Sequence, residues 1–340
     1  MTSSKNLFPQ SRKMDDFQFE VLQGPLVDKF KTANQTFHSD GVIRMWPPGC
    51  AMFAEYRNHA DRVRHLTVRK DDVWILTYPK SGTTWTQEMA WLLINNLDYE
   101  TARKIPQTER SPYLELGCLV DEDTRRKANI ADSVRAVEML QSPRCIKSHL
   151  PLQLLPKQLW TVRPKIIYVA RDVKDVAASY YHHYRLFFGY TGSCEDFVEA
   201  FLAEIVPYGS VWDHILDFWN IRHESNVMFN TFEEMKKDLP RVVQRTADFL
   251  DCTLTSEQMK RLCEHLSFES MKENRSVSHE DEMAKLRGKE TNLVGKIEPF
   301  MRKGEVGGWK NDVTPQLEER LNVYTEGKLA GVGYELKYQE

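Results

Sequence analysis

Apolar and polar positions follow two regimes along the chain, with a change near residue 70. Before it no sustained period is visible, and Trp46-Pro47-Pro48-Gly49 marks a turn, so an irregular lead-in is predicted. After it, Val73-Trp74-Ile75-Leu76-Thr77-Tyr78 is a short, almost continuous apolar run, the pattern of a strand buried on both faces of a parallel sheet. Trp85, Met89, Leu92 and Leu93 then recur at helical spacing, and Asn95-Asn96 supply a stop. Further strands are predicted at 144–147, 165–170 and 226–229, and helices over 173–186, 194–205 and 233–250. This alternation predicts an α/β fold. A single domain over residues 46–340, with a central, mainly parallel sheet flanked by helices, would follow a partly irregular N-terminal extension over residues 1–45. From Lys272 to Glu298 the chain turns polar and charged, and a long mobile loop or lid is expected.

Composition refines this picture mainly by exclusion. In 340 residues, 46 basic and 49 acidic side chains leave a net charge of -3, which argues against a surface built for nucleic acid while leaving room for a local basic pocket. The hydrophobic share of 41% excludes wholesale disorder. The six cysteines never fall in the close pairs of metal or redox motifs, so buried thiols and no metal site are expected. Met1 to Met14 lacks an apolar core of the secretory type, and no run of 18 apolar residues occurs, so neither a signal peptide nor a membrane span is expected. A cytoplasmic protein is the expectation.

Four segments carry chemistry. Tyr78-Pro79-Lys80-Ser81-Gly82-Thr83-Thr84-Trp85 joins the best strand to its helix, where strand ends and helix N-termini attract anions. Gly82 permits close backbone approach, Lys80 adds a charge, and Ser81, Thr83 and Thr84 add hydroxyls. Lys80 precedes the glycine, so this is not a Walker A loop, and a plain strand-turn-helix connection is the alternative. Arg171 ends a predicted strand, and Ser179 lies about two helical turns on, so a guanidinium fork and a hydroxyl can face one anion. Pairing of Arg171 with Asp172 or Asp175 is the alternative there. Phe300-Met301-Arg302-Lys303-Gly304 sets two basic residues beside a glycine, suited to phosphate or to a solvated surface. In Cys145-Ile146-Lys147-Ser148-His149-Leu150-Pro151, Lys147 and His149 share a face if the segment is extended. Such a histidine can take a hydroxyl proton while ammonium groups stabilise developing charge, or it can be structural.

Together these segments resemble the cytosolic sulfotransferases, which use 3′-phosphoadenosine 5′-phosphosulfate (PAPS) as sulfonate donor, and the resemblance runs from about Trp46 to Tyr334. It implies that Lys80, Ser81, Gly82, Thr83 and Thr84 hold the 5′-phosphosulfate, with Trp85 near the adenine. Arg171, Ser179, Arg302, Lys303 and Gly304 would hold the 3′-phosphate, with Phe300 and Met301 in the same binding segment. Phe232 stands where the family commonly has tyrosine, and Ser267, ahead of Phe268 and Met271, where it has threonine; for Phe232, Phe268 and Met271 core packing is the alternative. His149 would be the general base, with Lys147 and Lys80 stabilising in-line transfer that leaves adenosine 3′,5′-bisphosphate (PAP) and needs no metal.

The implied acceptor is a small hydrophobic phenol, steroid or isoprenoid-type alcohol, bound by Phe53, Tyr113, His149, His183 and Phe187. His183 departs from the aromatic or apolar residue frequent at its position. A retinol-dehydratase-like enzyme, in which sulfonation of an allylic alcohol is followed by elimination, is the alternative within the fold. A kinase is disfavoured by the missing Walker lysine, and a non-enzymatic nucleotide binder by the presence of Lys80, Lys147 and His149. Lys310, Thr314 and Glu319 match part of the family's dimer motif, so a homodimer stands open beside a simple helix start at Thr314-Pro315.

Overall fold

The computed structural model describes residues 17–34, 41–119, 122–127, 131–279 and 300–334. Four parallel strands, β4 (Val73–Thr77), β5 (Cys145–Ser148), β6 (Lys165–Ala170) and β7 (Val227–Thr231), form the central sheet in the order β5-β4-β6-β7. Side chains alternate across a strand, so Trp74 and Leu76 enter one apolar layer with Ile146 and Tyr168, while Val73 and Ile75 enter the other with Ile167 and Val169. Both faces of β4 are therefore buried, which explains its unbroken apolar run. The helices Thr83–Ile94 and Leu239–Phe249 cover one face; Val173–Phe188 and Val211–Asn220 cover the other. Leu76 pairs in register with both Ser148 and Tyr168, so β4, β5 and β6 end at one level. The chain runs from β4 out to β5 and returns on the opposite side of β4 as β6. At such a switch of direction the strand ends part and leave a crevice.

The α/β fold with a parallel sheet flanked by helices agrees with the reading of the sequence, and β6 matches its predicted bounds. Boundaries elsewhere shift by one to three residues: β5 starts at Cys145, β7 ends at Thr231 and the helix from Cys194 stops at Leu202. Helix 233–250 requires correction, because Asp238 ends one helix (Phe232–Lys237) and caps the next (Leu239–Phe249) by accepting from the Arg241 amide. Pro240, whose ring fits only a first turn, enforces the break.

The irregular lead-in also requires correction. Residues 17–64 contain a second sheet, antiparallel in the order β1-β2-β3 (Gln18–Val21, Val42–Trp46, Cys50–Phe53), and the helices Pro25–Ala33 and Tyr56–Arg64. The Trp46 to Gly49 turn is present, but it joins two strands of four and five residues directly, outside the strand-helix alternation of the central sheet. Ala51 O accepts from the Tyr208 amide at 2.7 Å, which ties this sheet to the site. At the other end Thr314 caps the helix Pro315–Leu329, as its sequence predicts. Of the expected lid only residues 272–279 are described; the remainder lies outside the described residues. Among the described residues no helix is long and apolar enough to cross a membrane.

Candidate active site

The ends of β4, β5 and β6 open onto a cavity of about 590 Å³. β4 ends at Thr77, Lys80 turns the chain with φ 69°, and Gly82, with φ 106°, starts the helix Thr83–Ile94. A Cβ at Gly82 would lie 3.0 Å from the Phe232 ring, so a left-handed backbone and close packing both select glycine. No side chain caps this helix, and its first-turn N–H groups are left for an anion. Ser81 is buried, outside the cavity lining, and its Oγ has no hydrogen-bond partner among the described residues.

Arg171, at the end of β6, donates to Lys80 O at 3.1 Å and to Glu305 O at 2.9 Å, while its Nε is buried without a partner among the described residues. The alternative ion pairs are weak. Asp172 accepts the Lys174 and Asp175 amides as a helix cap, and Asp175 accepts from the Gly307 and Trp309 amides, standing 3.8 Å from Arg171. Ser179 lines the same cavity, as do Phe300, Met301, Arg302, Lys303 and Gly304. Gly304 has φ 59°, and a side chain there would collide with the Phe268 ring. Trp85, Phe232, Phe268 and Met271 wall one end of the cavity, with Trp85 edge-on to Phe232 at 5.8 Å between centroids. Ser267 does not line it; its hydroxyl accepts from the Ser270 amide as the cap of the helix Phe268–Glu273.

At the opposite side His149 is fixed on three counts. Its amide donates to Glu115 Oε1 at 2.6 Å, its carbonyl accepts from His214 Nε2 at 3.1 Å, and its ring Nδ1 lies 2.8 Å from Thr77 O. A carbonyl only accepts, so Nδ1 carries the proton and Nε2 keeps its lone pair. The same logic makes Tyr168 the donor to His214 Nδ1 at 2.8 Å. Burial first, and then Lys147, hold the His149 imidazole well below its ordinary pKa, in the neutral form a base requires. The rings of Tyr113 and Tyr208, hydrogen-bonded to each other, flank it at 5.1 and 5.7 Å between centroids.

Lys147 rests on the Tyr113 ring at 4.2 Å and is lowered to about 8 by burial, against the opposing pull of Glu115. Lys80 is lowered to about 7 by burial and by its cationic neighbours Lys147, Arg171 and Arg302, and lies 4.5 Å from the Phe300 ring. Burial raises Glu115 to about 7. Phe53, Tyr113, His183 and Phe187 complete an aromatic end, joined by Phe188 and Tyr208.

One cavity thus collects every candidate residue named from the sequence except Ser81 and Ser267. Glu115, His214, Thr77, Tyr208 and His279 belong to the site or its frame and were not singled out for it. The signal for Glu115 was an isolated acid in Tyr113-Leu114-Glu115-Leu116, a segment that bridges to Lys147.

An uncapped helix start, a second basic clamp and a neutral imidazole at the ends of parallel strands define a group-transfer enzyme for a phosphorylated donor. Residues 70–333 match the sulfotransferase domain. Luciferin sulfotransferase of Photinus pyralis is 38% identical, over 82% of this chain and 77% of that protein. Sulfotransferase 1E1 of Homo sapiens is 34% identical, over 83% and 91%. Retinol dehydratase in complex with retinol and PAP has a TM-score of 0.84 and 29% identity, covering 94% of this chain and 98% of that one. Mouse sulfotransferase SULT7A1 complexed with PAP has a TM-score of 0.63 and 26% identity, covering 84% and 94%. The chain belongs to the sulfotransferase family.

Proposed function

We propose that this enzyme transfers the sulfonate of PAPS to a hydroxyl of a small hydrophobic acceptor. The observation that carries the reading is His149, whose Nδ1–H is held by Thr77 O, so that Nε2 is the free base on a cavity shared with the anion seat. The residues fit a donor with phosphate at both ends: Arg171, whose Nε is buried without a partner among the described residues, lines the cavity, and Lys80 stands there among cations. PAPS supplies an activated sulfonate and leaves as PAP. Lys80, Gly82, Thr83 and Thr84 would seat its 5′ end, and Arg171, Ser179, Arg302, Lys303 and Gly304 its 3′-phosphate. Phe300 and Met301 flank that clamp, and Trp85, Phe232, Phe268 and Met271 offer rings and a thioether to the adenine.

The acceptor would lie among Phe53, Tyr113, His183 and Phe187, which exclude water from the reacting oxygen. As that oxygen bonds to sulfur, its proton passes to His149 Nε2, and Lys147 and Lys80 neutralise charge on the transferring and departing oxygens. A second reading is supported by the likeness to retinol dehydratase, with elimination after transfer. Titration calorimetry with PAP against ATP, followed by mass analysis of the product from PAPS and a phenol or allylic alcohol, tests both. Selective PAP binding and a stable sulfate ester support transfer. A desulfated diene supports dehydration, and failure to bind PAP overturns the donor assignment.

A further inference from the structure

His183 lies on the helix Val173–Phe188 and faces the acceptor end of the cavity. Its ring packs on Phe187 at 4.5 Å between centroids, with Phe188 at 5.9 Å and Tyr180 at 6.0 Å. Within this aromatic corner its Nδ1 is closed off from solvent and has no hydrogen-bond partner among the described residues. A buried, unpaired nitrogen costs stability that a phenylalanine of similar shape would not. The corner therefore holds a polar atom that its own packing does not use.

The titratable groups acting on His183 are Lys80, Lys147, His149 and His279, all bases, and burial with these neighbours keeps the imidazole neutral. A neutral imidazole presents one N–H and one lone pair; with Nδ1 closed off, the ring meets a ligand hydroxyl through Nε2, as donor or as acceptor according to the tautomer. His149 takes the reacting hydroxyl on the same cavity, so a molecule that reaches both rings is held at two points.

We propose that His183 is a specificity-determining residue that selects acceptors bearing a second hydroxyl, remote from the one that is sulfonated. The inference rests on the sulfotransferase reading given above and narrows its acceptor class from hydrophobic alcohols to hydrophobic diols. A site built to pair a hydroxyl discriminates strongly against the analogue that lacks it, because the protein's own polar group is then left unpaired.

The test uses matched pairs of increasing length: hydroquinone against phenol, dihydroxynaphthalene against naphthol, and dihydroxybiphenyl against hydroxybiphenyl. The wild type should prefer the diol in at least one pair by about tenfold in kcat/KM, beyond the factor of two that two equivalent hydroxyls give. His183→Phe should bring that ratio close to the statistical value, whatever happens to the absolute rates, and His183→Asn should retain part of it. PAP binding by each variant shows that it has folded. The same ratios are read without turnover by titrating the PAP-loaded protein with each pair. A wild type that sulfonates phenols with no diol preference, or a preference that survives in His183→Phe, overturns the assignment of His183 and leaves the transferase reading standing. Absence of both turnover and acceptor binding overturns the two together.

Discussion

Arg144 and Arg171 are both largely buried cations close to the ends of sheet strands, and their surroundings are opposite. Arg144 donates to both oxygens of Asp72, at 2.7 and 2.6 Å, and to the Thr67 and Val137 carbonyls. Arg171 has two carbonyls, the Phe232 ring at 4.2 Å, a carboxylate at 3.8 Å already engaged by two amides, and an Nε without a partner among the described residues. Buried charge is tolerable when paired and costly when not. The first arrangement is complete in the protein alone. The second, with Lys80 and Lys147 nearby, is a deficit of negative charge that a bisphosphate would fill. Arg110 lies between the two: it has a close carboxylate, Glu88 at 2.8 Å, whose other oxygen His265 takes at 2.9 Å, but its own Nη1 is buried without a hydrogen-bond partner among the described residues.

The largest effect should come from the base. His149→Ala should lower kcat by about two to four orders of magnitude, with PAP affinity little changed, because the ring contributes no charge to the anion seat. Near wild-type turnover would remove His149 from the mechanism. The two arginines then separate by what each substitution damages. Arg144→Met leaves Asp72 buried and unpaired, and should cost about 3–5 kcal/mol of stability in denaturant unfolding. Arg171→Met should leave stability intact or raised, since a charge without a full partner is removed, while weakening PAP about tenfold to a hundredfold by calorimetry. If Arg171→Met instead destabilised the protein like Arg144→Met, the contrast between the two sites would collapse.

The pattern of what sequence could tell follows from the same geometry. The anion seat is contiguous in the chain from Lys80 to Trp85, between β4, whose two buried faces give an unbroken apolar run, and a helix with a clear stop at Asn95. Such segments are legible. The frame of His149 is not, because it is assembled from Thr77, Glu115 and His214, which meet only through tertiary structure. The first sheet escaped notice because β2 and β3 follow each other directly, outside the strand-helix alternation that marks β4, β5 and β6. Ser267 illustrates a different limit: its hydroxyl is used, but by the helix behind it.

Glu115 refines the comparison within the site, since it is the carboxylate nearest in effect to Lys147. Glu115→Gln keeps an oxygen for the His149 amide and removes the charge that partly offsets burial at Lys147, whose pKa of about 8 already includes that pull and should fall without it. The alkaline fall of kcat should move to lower pH, with a loss of a few-fold at most near neutrality. An unmoved alkaline limb would show that Lys147 does not set it, and a loss as large as that of His149→Ala would assign Glu115 to holding His149 rather than to charge.

The smallest effect reads the charge deficit directly. Lys80 and Lys147 have an ordinary value of 10.5, lowered in the donor-free protein to about 7 and about 8. Between those values and 10.5 the unfolded chain holds more protons than the folded one, so these two groups make stability rise with pH through that window and contribute a constant penalty below it. A bound bisphosphate favours the charged lysines and raises both values toward the ordinary one. Binding of PAP in the window should therefore take up as much as one proton per lysine, seen as a dependence of the calorimetric heat on the ionisation enthalpy of the buffer. Below about pH 6 both lysines are already charged and the uptake from them should vanish. Lys80→Met should remove its share of the uptake, and Arg144→Met should leave the uptake unchanged, because Arg144 is satisfied by Asp72 before any donor arrives. Proton release, or no exchange, in the alkaline window would show that the cations of the seat are already paired in the free enzyme, and the distinction between the two kinds of buried charge would fail.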